Sequence, residues 1–147
     1  MTQLTEHFSL EELTNSQIAV RFKLDNTPSP MIIERLKQTA EALEKVRALL
    51  GVPLIINSGY RSLAVNLKVG SKPTSAHVKG WAVDFIAPKY GTPLQICHAI
   101  SKATDIRFDQ LIEEGTWVHL SIDPNMREMI LTMQDGKYTK GLRPLGE

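Results

Sequence analysis

Apolar residues recur at helical spacing from Ile32 through Ile33, Leu36, Ala40, Leu43, Val46 and Leu50. Ser29-Pro30 just ahead offers an N-cap followed by proline at the first helical position, and Gly51 offers the stop. The pattern predicts a long helix over 30–50, packed along one face. Ser9-Leu-Glu-Glu12 has the spacing of a capping box and starts a short helix near residue 9. Residues 22–28 read as loop. Val52–Asn57 is short, apolar and bounded by Gly51 and Ser58-Gly59, so it reads as a strand, and so does 80–87. Residues 62–76 are irregular, with one helical turn around 63–69. Thr92-Pro93 opens a second helix over 93–104. Residues 108–114 and 117–122 flank Gly115-Thr116, which predicts a tight hairpin with glycine first in the turn. A second hairpin is expected around Asp135-Gly136. This order predicts an α+β fold, with a small antiparallel sheet and helices packed on one side.

Composition limits the classes that remain. The 147 residues fit one domain, taken as 1–147. Lys+Arg total 17 and Asp+Glu total 16, a net charge of +1 that gives no electrostatic case for a nucleic-acid partner. The single cysteine, Cys97, excludes an internal disulfide and reads as a buried, inert thiol. No stretch approaches the roughly 20 apolar residues of a membrane span. The start, MTQLTEHFSLEEL, has neither the basic n-region nor the apolar h-region of an export signal. The expectation is cytoplasmic synthesis and a monomer without membrane insertion.

Candidate chemistry lies in two of the four histidines. His7 and His98 read as structural or surface residues. His77 lies on a polar loop, in Ser75-Ala-His77-Val-Lys-Gly80-Trp-Ala-Val-Asp84. Asp84 falls inside an apolar strand, where a carboxylate is costly to bury without a partner. His119, in Trp117-Val-His119-Leu-Ser121, has the same problem. Two readings satisfy both: a buried Asp–His pair, or one metal ion held by His77, Asp84 and His119. Two imidazoles and a carboxylate are the ligand set of a catalytic zinc.

The pattern Ser-x-His-x-x-Gly-x-Ala-x-Asp followed by Trp-Val-His resembles the zinc D-Ala-D-Ala carboxypeptidases and related L,D-endopeptidases, most closely their short phage and prophage members. Ser58-Gly-Tyr-Arg-Ser62, Phe108-Asp-Gln-Leu-Ile112 and the opening His7-Phe-Ser-Leu-Glu-Glu12 match further family segments. The similarity spans about residues 5–123. It implies one Zn²⁺ held by His77, Asp84 and His119, and the α+β fold shared with the hedgehog signalling domain. The implied activity is cleavage of peptidoglycan stem or cross-link peptides at bonds involving D-alanine. An endolysin or a virion-associated lysin, released or delivered to the wall, fits this reading.

A peptidase of this kind needs a general base. Many relatives carry an acid three residues before the last histidine, where this chain has Thr116. If Gly115-Thr116 is a two-residue turn, Glu114 faces Trp117 and Ile112 faces His119, so Gln110, Ile112 and Glu114 share the metal face. Glu114 is then the base, while a one-residue slip selects Glu113 instead. The resemblance implies that Arg61 stabilises a substrate carbonyl or carboxylate. Ser75 is expected to hold the loop before His77 or to bond Asp84, and Gln110 to meet substrate or water. Trp81 and Trp117 read as packing residues. The departure at Thr116 sustains a rival reading, a zinc-stabilised binding or structural module such as a phage-particle component.

Overall fold

The computed structural model describes residues 2–146; Met1 and Glu147, included in the expected domain, lie outside it. The long amphipathic segment forms a helix over Pro30–Leu50, capped by the Ser29 side chain and ended by Gly51 at φ +72°. Two short helices precede it. The first, α1 (Leu10–Thr14), carries the complete capping box between Ser9 and Glu12. The second, α2 (Gln17–Arg21), was not expected; Ser16 caps it by accepting the Ala19 N–H. Its apolar stretch is too short to show a period, so only the cap was readable. The long helix is therefore α3. The turn expected around 63–69 is α4 (Leu63–Lys68), and α5 (Pro93–Lys102) opens with a capping box between Thr92 and Gln95.

Six strands follow the order β1-β2-β4-β3-β5-β6, with β1 Ile55–Ser58, β2 Ala82–Ile86, β3 Gln110–Glu113, β4 Val118–Ser121, β5 Met129–Gln134 and β6 Lys137–Lys140. Several boundaries differ from expectation, among them the starts of β1 and β2. β1 begins at Ile55 because Pro53 has no N–H to donate and Leu54 turns into the core. β2 begins at Ala82 because Gly80, at φ +81°, and Trp81 close the turn that carries His77. Both hairpins form. Glu114 N–H donates to the Trp117 carbonyl across Gly115 (φ +96°), and Ile112 stands opposite His119.

The sheet is not wholly antiparallel, because β5 runs parallel to β3. β2 already occupies the far side of β4, so the chain after β4 steps across the start of β3 and joins it in the same direction. Asp109 pins this step: its carboxylate accepts Arg127 N and Nε at 2.9 and 2.8 Å and Nη2 at 2.8 Å.

One sheet face packs against α3 and α5. Val83, Phe85, Leu111, Val118 and Leu120 join Leu36, Leu43, Ile96 and Ile100 in a single buried cluster. The opposite face carries Asp84, His119 and Ser121. Among the described residues, no helix is long and apolar enough to cross a membrane.

Candidate metal centre

Strand register assembles the site. Asp84 on β2 stands opposite His119 on β4, which stands opposite Ile112 on β3. Side chains opposite one another in an antiparallel pair share a face, so Asp84 and His119 must meet. His119 Nδ1 lies 2.9 Å from Asp84 Oδ1. His77 reaches the same oxygen from its loop, with Nε2 at 3.4 Å. The two imidazole rings meet edge to face, 5.2 Å apart.

The loop before β2 is tied down at several points. His77 N–H donates to Ser75 Oγ at 3.2 Å, and the His77 carbonyl accepts the Arg61 N–H at 3.1 Å. Asn66 on α4 donates from Nδ2 to the Lys72 carbonyl. The Gly80 carbonyl accepts the Thr39 hydroxyl of α3 at 2.8 Å. Gly59 contributes most directly: its carbonyl lies 2.8 Å from His77 Nδ1. A carbonyl only accepts, so Nδ1 carries the proton and Nε2 turns its lone pair toward Asp84.

This arrangement fits a cation. Burial lowers the pKa of His77, although Asp84 pulls the other way, so the ring is neutral near pH 7. Burial also works against the Asp84 carboxylate, but the hydrogen bond from His119 and the polar surroundings of the cluster outweigh it and hold its carboxyl well below the usual range. A neutral nitrogen lone pair therefore faces an anionic oxygen in a buried place, two acceptors with no proton between them. Three atoms, one from each of His77, Asp84 and His119, lie within 4.8 Å of one another. Tetrahedral zinc at bond lengths of about 2.1 Å separates its ligands by roughly 3.4 Å. The donor set, borderline nitrogens with one carboxylate, suits zinc.

Arg61 and Glu114 border the triad. The Arg61 guanidinium is partly desolvated, which lowers its pKa, while the Asp84 charge acts in the opposite sense. Its Nε is buried with no hydrogen-bond partner among the described residues. Glu114 is half-buried on the face of His119. Burial raises its pKa; the His119 charge opposes this, and Asp84 adds to it. Glu113 points the other way. It is 2% exposed on the helix-packed side, where it accepts Gly115 N–H at 2.8 Å and meets Arg143 at 3.4 Å. Gln110 pairs with Ser121, one position along the sheet from His119 on the same face.

The residues set aside in sequence lie elsewhere. His7 bonds Glu44, and His98 bonds the Arg143 carbonyl. Cys97 is fully buried, and burial pushes its thiol up to about 12, with Glu113 adding to the shift. Trp81 packs under Arg35, 5.3 Å from the ring centre. Sequence reasoning gave Gly59 no role of its own, although it lies within the matched Ser58–Ser62 segment, because its contribution is a backbone carbonyl.

The fold, with its buried His-Asp-His cluster backed by a carbonyl-held imidazole, defines a candidate metallohydrolase. The peptidase M15 family matches residues 6–121, a span that contains all three cluster residues. The chain belongs to that family, the D-Ala-D-Ala carboxypeptidase-like zinc peptidases. No curated protein sequence matches the chain.

Proposed function

We propose that this chain is a zinc peptidase that hydrolyses peptidoglycan stem or cross-link peptides at bonds involving D-alanine, in the manner of a phage or prophage lysin. The observation that carries the reading is the half-buried Glu114 carboxylate on the His119 side of the sheet, with its pKa raised by burial. A base works best when its pKa approaches the working pH. His77, Asp84 and His119 are the proposed zinc ligands. Zinc held there would supply Lewis acidity for activating water and polarising a carbonyl. Glu114 accepts the proton of the attacking water and returns it to the leaving amine. Arg61 meets the negative charge, either the substrate carboxylate or the developing oxyanion, with a guanidinium whose Nε is unpaired. Ser75 and Gly59 keep His77 in register, and Gln110, two residues before Ile112 on the same face, meets substrate or water.

The assay is direct. Zinc-loaded protein is incubated with purified peptidoglycan and with a D-Ala-D-Ala-terminated peptide, with and without chelator. Chelator-sensitive release of peptide or D-alanine is the expected result. Intact substrate after incubation with fully metallated protein would sink the peptidase reading. It would also favour the second one, a zinc-stabilised non-catalytic module, which Thr116 supports by standing where many relatives have an acid.

A further inference from the structure

The hairpin β5–β6 lies beyond the residues matched to the family, yet it brings a side chain to the proposed site. On β3 and β5, Glu113 stands beside Thr132, so the next pair in that register is Glu114 with Met133. On β5 and β6, Met133 stands opposite Tyr138. Trp117, Glu114, Met133 and Tyr138 therefore form one row across the sheet, on the face that carries Asp84 and His119. Two strand spacings, about 10 Å, separate the backbones of Glu114 and Tyr138. The two long side chains close that span over Met133. Tyr138 donates its hydroxyl to Glu114 Oε1 at 3.4 Å.

This contact answers a mechanical need. Glu114 sits one residue past the last paired position of β3, beside an exposed turn, and its side chain has three rotatable bonds. A base must stay within hydrogen-bond reach of the proton that it moves. Among the described residues, Tyr138 is the one hydrogen-bond partner of the Glu114 carboxylate.

We propose that Tyr138 is a positioning residue for Glu114, pinning one carboxylate oxygen so that the other serves the proton transfer. This rests on Glu114 being the base of the proposed peptidase. The second hairpin then becomes part of the catalytic apparatus. It also accounts for how a base can work from the hairpin stem when the position three before His119 is a threonine.

The test uses full-length zinc-loaded protein and the variants Tyr138→Phe, Glu114→Gln and the double variant. The first readout is alkaline titration of tyrosine absorbance. Subtracting the Tyr138→Phe curve isolates Tyr138 from Tyr60 and Tyr90. Burial, then the Glu114 charge and hydrogen bond, and then Asp84 hold the Tyr138 phenol above its ordinary pKa. Lys140 stands two residues further along the same strand. Glu114→Gln is expected to lower the Tyr138 midpoint; an unchanged midpoint overturns the contact. The second readout is kinetics on the D-Ala-terminated peptide. Tyr138→Phe is expected to lower kcat roughly tenfold with KM held within about twofold, and to cost nothing further in Glu114→Gln. Tyr138 is 53% exposed, so the variant should melt with the parent. An active parent with an equally active Tyr138→Phe variant sinks the positioning role alone. A parent that cleaves nothing sinks the peptidase reading and this role with it.

Discussion

Glu113 and Glu114 are chemically identical neighbours; strand alternation sends them to opposite faces of the sheet, and the two-residue turn decides which takes which. Glu114 joins the metal face, whereas Glu113 is buried beside Arg143 under α5. Their variants should therefore fail in different ways. Glu114→Gln is expected to lower kcat by about 10²–10⁴ with zinc content and melting unchanged. Glu113→Gln is expected to leave kcat near the parent value and to lower the melting temperature, because a buried carboxylate that accepts two donors is lost. Kinetics and melting of the pair would separate them, and a reversed pattern would move the base to Glu113. At this scale the sequence was legible where burial made a residue expensive. Asp84 and His119 stood out as polar groups in apolar strands. Gly59 did not, because what it offers His77 is a carbonyl that every residue possesses.

Elements were legible where a period or a cap repeated. The α3 stripe and both hairpin turns are plain in the sequence, whereas α2 is too short for a period. Gly59 shows what close packing between elements demands. A Cβ there would collide with the Leu13 carbonyl at the end of α1. Gly59→Ala is expected to cost about 1–3 kcal/mol and to weaken zinc binding, since the displaced carbonyl is the one that holds His77. Chemical denaturation and a zinc-competition titration would check both effects. The link into β5 gives an acid-sensitive counterpart. Hydrogen bonds from Arg127 outweigh burial and hold the Asp109 carboxyl below its ordinary value. Its folded pKa is thus below the unfolded value of about 3.9, so its stabilisation is complete above about pH 4 and is lost as pH falls through the folded value. Asp109→Asn is expected to cost about 1 kcal/mol at pH 7, kept small because Arg127 is half exposed, and to flatten the stability decline below about pH 4. Denaturation midpoints from pH 7 down to about 3 would reveal a parallel rather than converging pair of curves if Asp109 were neutral to folding.

For the whole molecule, the α+β class followed from the order of elements, but the strand order did not. Nothing local in 122–128 tells β5 to bypass β4; that choice follows from β2 having already paired with β4. The proposed zinc ligands join β2, β4 and the loop from α4 to β2, so the metal would fasten segments far apart in sequence. The proposed base depends on a further part, the hairpin that closes the far side of the sheet.

That hairpin also governs how the molecule meets its own copies. β6 is short, every residue in it is exposed to solvent, and it presents Lys137 and Lys140, charges that discourage another strand from docking on its open hydrogen-bonding edge. The segment matched to the family stops at residue 121, before this guard. A chain ended at Glu128 would lay bare the outer edge of β3, an apolar strand carrying Leu111 and Ile112 with a row of unpaired N–H and C=O groups. Such a chain is expected to form concentration-dependent oligomers in light scattering where the full chain scatters as a single species. If it stayed monomeric, β3 would have to be protected by something other than its neighbour. Trimming the protein to its recognisable family portion would thus trade a self-contained sheet for one that seeks its missing strand in another molecule.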